Sequence, residues 1–367
     1  MDAEGCGKDL FGQSVSMKDE YHRYTGRKIL FISLCALTIV CAGGYALTLG
    51  VREIGFLETF GIIWNHLTGV GYDLHSDGWW DDFVLWEDRL PRVVVAVIAG
   101  AGLAIGGAAM QSVVKNPLAD PYTTGISSGA VLGITAAIVL GTSIGSFGSN
   151  YGMVLNAFVF GLVPTAVAIA VTKMSNASPA TIILAGTAMS YLLNAASTLL
   201  LVTAEAGKIQ EAFLWQVGTL EWVVWDDVPL MFVITLVGGI VLLFFSRQLN
   251  LLLFGDKSAK SLGLDVDNFR LIVLLILSLA TASIVSFVGI IGFVGLVSPH
   301  IVRMFIGSDN RFVIPASALF GAAFLLVADL IARTVIAPGE LPVGVIMSFI
   351  GGPIFLILII KSRKGMW

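Results

Sequence analysis

Charge is what this sequence has least of. Only 13% of its 367 residues are Asp, Glu, Lys or Arg, against about a quarter in a soluble domain, and its mean hydropathy is +0.89. A water-soluble globule is excluded. The 21 Lys and Arg set against 25 Asp and Glu leave a net charge of -4, of the wrong sign to draw nucleic acid, so no nucleic-acid partner is expected. Cysteine is scarce as well. Cys6, Cys35 and Cys41 make no metal-ligand cluster, and the last two lie six apart on one apolar run, where a helix points them in different directions. No disulfide framework or zinc site follows. Phosphate-binding and hydrolytic patterns are missing too: Gly7-Lys8 is followed by Asp9 and Gly207-Lys208 by Ile209, so no GxxxxGK[ST] occurs, and there is no HExxH. The chain does not hydrolyse ATP by itself, and no catalytic or metal-binding residue is assigned.

What fills the sequence instead is apolar runs of membrane-spanning length. The first, Ile29 to about Leu49, follows His22, Arg23, Arg27 and Lys28 and is long enough to cross hydrocarbon as a retained span. Further runs cover about 91–113, 124–141, 151–172, 180–203, 228–246, 271–290, 291–306, 312–334 and 342–360. The expected protein is therefore all-α and polytopic, with about ten transmembrane helices over 29–361, a polar N-terminal tail (1–28) and a short C-terminus (362–367). With both ends in the cytoplasm, 16 Lys and Arg fall inside and 5 outside, as the positive-inside rule requires. The weakest division lies within Ile284 to Ile306, interrupted only by Gly289, Gly292, Gly295 and Pro299. Glycine is abundant at 41 residues, with four-residue spacing in Gly102/Gly106 and Gly125/Gly129/Gly133, a pattern that lets helix backbones approach closely in lipid. Ionisable groups inside the runs are nearly absent. Asp329 and Arg333, four apart on one helix face, read as a local ion pair or, less simply, as a proton relay.

Four stretches stand out from this background. They are Arg89-Leu90-Pro91-Arg92 with Met110-Gln111, Asn116-Pro117-Leu118-Ala119-Asp120-Pro121 and Gly125-Ile126-Ser127-Ser128-Gly129; Leu184-Ala185-Gly186; Gly255 through Leu264; and Gly289 through His300 with Ala328-Asp329, Glu340-Leu341-Pro342-Val343-Gly344 and Gly351-Gly352-Pro353. In order and spacing the chain from about residue 84 onward resembles the FecCD-type permease family, the membrane subunits of ABC importers for iron-siderophores, haem and cobalamin. The resemblance implies a homodimer in the cell membrane, bound to two ATPase subunits on the cytoplasmic side and one substrate-binding protein outside. ATP and Mg would belong to the ATPase, leaving no cofactor in this chain. The alternative from another class is a secondary-active transporter of a small organic substrate, disfavoured by the lack of titratable spans.

The resemblance also assigns roles. Segment 248–270, read from its charge as a cytoplasmic knob of two short helices broken at Gly263, becomes the element that couples to the ATPase: Gly255, Asp256, Ala259, Leu262, Gly263 and Leu264, with Ala259, Leu262 and Leu264 as apolar anchors. Arg89, Arg92 and Arg333 become docking residues for the binding protein, although interfacial arginines also anchor helices by snorkelling. Asn116 and Leu118, in a turn fixed by Pro117, become part of an inner gate; a second gate turn at Asn176-Ala177-Ser178-Pro179-Ala180 matches only loosely. Gly207 to Gly218, amphipathic and too short to cross, becomes an outer gate helix carrying Phe213 and Trp215. The outer loop 50–90 departs from a compact pattern: Tyr72 to Asp88 holds His75, Asp77, Trp79, Trp80, Asp81, Asp82, Glu87 and Asp88, an acidic and aromatic run without metal-ligand spacing.

Overall fold

A helix needs only its own backbone to satisfy its N–H and C=O groups, which is why an apolar chain in lipid takes this form. The computed structural model describes residues 7–8, 14–15, 17–50, 52–144, 149–174 and 178–362. Apart from a two-residue antiparallel pair, Gly7–Lys8 with Ser14–Val15, its regular elements are helical. In chain order they are α1 (Met17–Ala46), α2 (Phe56–Thr68), α3 (Asp77–Phe83), α4 (Leu90–Val114), α5 (Ile126–Leu140), α6 (Ser149–Met174), α7 (Pro179–Val202), α8 (Ala206–Val217), α9 (Val228–Phe244), α10 (Ser246–Leu253), α11 (Asp256–Ser261), α12 (Val266–Val288), α13 (Val294–Ile306), α14 (Asn310–Thr334) and α15 (Val343–Ser362). A π-helical turn, Val84–Arg89, leads into α4, and a 3-10 turn, Pro121–Thr124, precedes α5. Cys6, Asn176, Ala177 and the C-terminal Lys364 lie outside the described residues.

Each of the ten expected spans has its helix. Eight apolar stretches are long enough to cross a membrane, while α5 and α13 are shorter; at 15 and 13 residues they reach only about 20 Å at 1.5 Å per residue. The doubtful division is a real break, made by Gly289 at φ 70° and Phe293 at φ 68°. The missing length is supplied by non-helical chain running inside the protein. A Cβ on Gly106 would lie 3.3 Å from the Pro121 ring, and one on Gly295 would lie 3.3 Å from Asp120 Oδ2, so 120–121 sits beside α4 about two turns above that helix's end. The Tyr122 hydroxyl donates to the Ile291 carbonyl at 3.2 Å, joining this segment to the break before α13. Irregular backbone survives at membrane depth only when protein covers it in this way.

The core is built around α4, which packs against α9, α12, α13 and α14. Small residues allow it to be surrounded. A Cβ on Gly107 would fall 1.8 Å from the Gly295 carbonyl oxygen, and Gly100 and Gly321 each face the other's carbonyl at 2.4 Å, so α4 meets α13 and α14 backbone to backbone. On α5, Gly129 and Gly133 meet the Phe160 and Asn156 carbonyls of α6. The α5 contacts follow the four-residue spacing, but the tightest on α4 are Gly100 and Gly107, seven apart. Helix α1 lies outside this core and stacks Phe31 on Phe305 and Phe320 at 5.3 and 5.9 Å.

Candidate functional site

At one end of the bundle α10 and α11 form a compact projection between α9 and α12. The break between the two short helices falls at Gly255 (φ 100°), whereas Gly263 (φ 87°) ends the second; the sequence reading put the break one helix late. A Cβ on either glycine would meet nothing, so backbone conformation alone favours glycine there. Ala259 is fully buried within its own protein and is unavailable as a partner's anchor, which corrects that part of the expectation. Leu264 packs partly against the core. Leu262 at 66% exposure and Phe254 at 76% are the most exposed apolar side chains on offer, and Phe254 went unnoticed because it precedes the charged stretch.

Asp256 turns inward. Its Oδ1 accepts from Lys115 Nζ at 2.8 Å and from Arg270 at 3.0 Å, and Arg270, with no exposed surface, also donates to the Val113 carbonyl. Burial alone would raise the Asp256 pKa, but the Lys115 and Arg270 cations outweigh it and hold the carboxyl below the ordinary range. The triad ties α11 and α12 to the turn after α4. Lys115 sits at φ 54°, a left-handed position that glycine usually occupies after a helix, so a lysine there signals use of its side chain. The turn itself is closed locally: Asn116 Oδ1 accepts from the Leu118 N–H at 3.0 Å, and the Asn116 N–H donates to Gln111 O at 3.1 Å. Leu118 is 42% exposed.

At the opposite end the three arginines are internal. Arg92 donates to Asp329 Oδ1 through two nitrogens at 2.9 and 3.0 Å and to Glu340 at 2.6 Å, while Arg333 clasps the other oxygen of Asp329 from four residues away. The ion pair legible in the sequence is thus half of a four-residue cluster in which Asp329 is fully buried. Arg89 donates to the Leu47 and Arg52 carbonyls, capping the exit from α1. None of the three is more than 7% exposed. The charges that do face outward here are largely carboxylates, including Glu53, Asp73, Asp77, Glu87 and Asp88. The loop 50–90 is folded: Arg52 pairs with Asp77 and Asp81, and His66 meets Asp82 at 2.8 Å and stacks on Trp86 at 3.9 Å.

Phe213 and Trp215 lie on different sides of α8, as two residues about 200° apart on a helix must. Phe213 lines an open cavity of about 610 Å³ with Gln216, Ile290, Val345 and Phe349; Trp215 faces α5 and α6. The end of α8 is pinned by backbone bonds, with Gly344 N–H donating to Gly218 O and Thr219 N–H to Val288 O. A Cβ on Gly344 would lie 1.9 Å from Val217 O. So α8, the break before α13 and the start of α15 form one rigid corner beside the cavity.

The fold is a multi-span helical bundle with a polar projection at one end, and its relatives make it a membrane permease of the ABC transporter class. The chain belongs to the FecCD transport family, whose profile matches residues 35–361. It is 38% identical to the hemin transport system permease protein HmuU of Yersinia pestis, over 87% of this chain and 93% of that one. Identity is 42% to the cobalamin import system permease protein BtuC of Halobacterium salinarum, over 74% and 72% of the two chains. A solved ABC transporter provisionally assigned to the metal-chelate type, in an inward-facing conformation, superposes with a TM-score of 0.77 at 29% identity, covering 90% of this chain and 98% of that one.

Proposed function

We propose that the chain is the permease subunit of a binding-protein-dependent importer that moves a metal chelate (an iron-siderophore, haem or cobalamin) with ATP hydrolysed by separate subunits. Two copies would enclose the pathway, with two ATPases on the cytoplasmic α10–α11 side and one binding protein on the other, and both termini in the cytoplasm of a cell-membrane protein. The observation that carries this is the α10–α11 projection joined through Lys115–Asp256–Arg270 to the Asn116–Leu118 turn. An ATPase docked on Leu262 and Phe254 would then move that turn as one body with α12. Gly255 and Gly263 set the direction of the projection, and Leu264 roots it.

In this reading Leu118 closes the inner gate against its symmetry mate while Asn116, its Oδ1 held by its own turn, offers its amide N–H groups across the seam. Phe213 and the pinned end of α8 form the outer gate, and Trp215 seats that helix on the bundle. Arg89, Arg92 and Arg333 serve docking by holding the rim rigid around Asp329 and Glu340. The test is reconstitution of the chain with a candidate ATPase and a candidate binding protein from the same cell. Chelate uptake into vesicles that requires ATP and both partners is the expected result; uptake driven by an ion gradient without an ATPase would refute the proposal.

A further inference from the structure

Beside α8, away from the cavity that Phe213 lines, a second cavity of about 610 Å³ opens at the same end of the bundle. Its rim carries Glu211, Asp226 and Asp227 with Tyr151, Trp215 and Trp222, and among the described residues no Lys, Arg or His lines it. Among the described residues neither Glu211 nor Asp226 has a hydrogen-bond or ion-pair partner, while Asp227 Oδ2 accepts from the Val224 N–H. Lys208, one turn before Glu211 on α8, is engaged with the Val139 carbonyl at 2.9 Å. A narrower cleft of about 350 Å³ continues from it, sharing Tyr151, Val154, Ser286 and Phe287 and adding Leu155, Phe158, Leu230, Ile234 and Ser283. From 151 to 158 on α6 the cleft descends about 10 Å toward the bundle centre at 1.5 Å per residue. Ser283, only 1% exposed, lines it with a hydroxyl that has no partner among the described residues.

We propose that these joined cavities are one site for a phospholipid bearing an ammonium head group, its head among the carboxylates and aromatic rings and an acyl chain in the cleft. The layout has the polarity of a lipid: anionic and aromatic at the bundle's end, apolar along α6, α9 and α12 below it. Carboxylates attract an ammonium, and the faces of Trp and Tyr rings add to that attraction; the same carboxylates repel an anionic head group. A buried hydroxyl without a partner is costly in an apolar wall, and Ser283 lies at the depth where a lipid ester oxygen can accept its proton. The inference needs only that the protein is embedded in a membrane, and does not depend on what it transports.

Native mass spectrometry of the full-length permease with equal amounts of phosphatidylethanolamine and phosphatidylglycerol tests it. At least fivefold preferential retention of phosphatidylethanolamine at the first occupied position is expected. Glu211→Gln with Asp226→Asn, two exposed side chains, reduces that preference to less than twofold, and Ile234→Trp, which fills the cleft, removes the retained lipid. Equal retention of both lipids by the native protein, preference for phosphatidylglycerol, or an unchanged preference in the double variant would each overturn the proposal.

Discussion

Asp256 occupies the position where the smallest chemical change should separate two functions. Converting it to Asn keeps the shape but leaves buried Arg270 and Lys115 without their common anion; a hydrogen bond to a charged group is worth about 1.5–3 kcal/mol. We expect Asp256→Asn and Lys115→Met each to lower substrate transported per ATP hydrolysed while ATPase binding persists, and the double variant to be no worse than Asp256→Asn, because both remove the same tie. Fully additive losses would show that the two act separately. Since the Asp256 carboxyl is held below its ordinary range, its stabilising pairing is complete above the unfolded carboxylate pKa and fades as pH falls through the lowered folded value. Leu118→Cys should crosslink between the two copies in the gate-closed state and lose that crosslink when nucleotide opens the gate. Absence of crosslinking in every nucleotide state, while nearby surface cysteines react, would remove the gate role. Motif resemblance found Asp256 and Leu118 as site residues; it gave no sign of Lys115, whose partner lies 141 positions away.

Helices here are specified as much by what their faces omit as by what they carry. Gly107→Ala places a methyl against the Gly295 carbonyl with no flexible side chain to yield, and overpacking of this kind costs about 1–3 kcal/mol. A lowered thermal midpoint in detergent is expected, with Gly61→Ala on α2, where a Cβ meets open space, as the unaffected comparison. Gly263→Val forces a β-branched residue to φ 87° and should yield assembled but uncoupled complexes in which the binding protein no longer stimulates ATP hydrolysis. Full stimulation would reduce α10–α11 to a connector. Apolar run length was enough to foresee all ten helices, eight of them long enough to span. It overestimated α5 and α13, because a run counts apolar residues whether they are helical or, like 289–293 before α13, irregular inside the bundle. The arginines misled for a related reason: Arg89 and Arg92 stand at the head of an apolar run, where snorkelling to the rim is the ordinary fate, and only the folded chain brings Asp329 and Glu340 to Arg92 from 237 and 248 positions away and the Leu47 and Arg52 carbonyls to Arg89.

For the molecule as a whole, orientation is the property most open to direct measurement. The asymmetry of Lys and Arg predicts position 257 in the cytoplasm and position 80 outside; a Cys at 80 should react with an impermeant reagent in sealed cells, and a Cys at 257 only after permeabilisation. Reaction at 257 in sealed cells would invert the proposed topology. Membership of the FecCD family was legible because its motifs are short contiguous strings, whereas the substrate was not, since the apolar and small residues that line most of the cavity beside Phe213 carry no chemistry that names a ligand. The two short helices also bear on how the protein is made. A translocating ribosome hands each segment to the bilayer by its own hydrophobic length, and α13, at 13 residues, falls short of the roughly 20 that partition unaided. In the folded chain α13 packs on α4 and α14, so its place in the membrane is expected to depend on those two longer helices rather than on its own length.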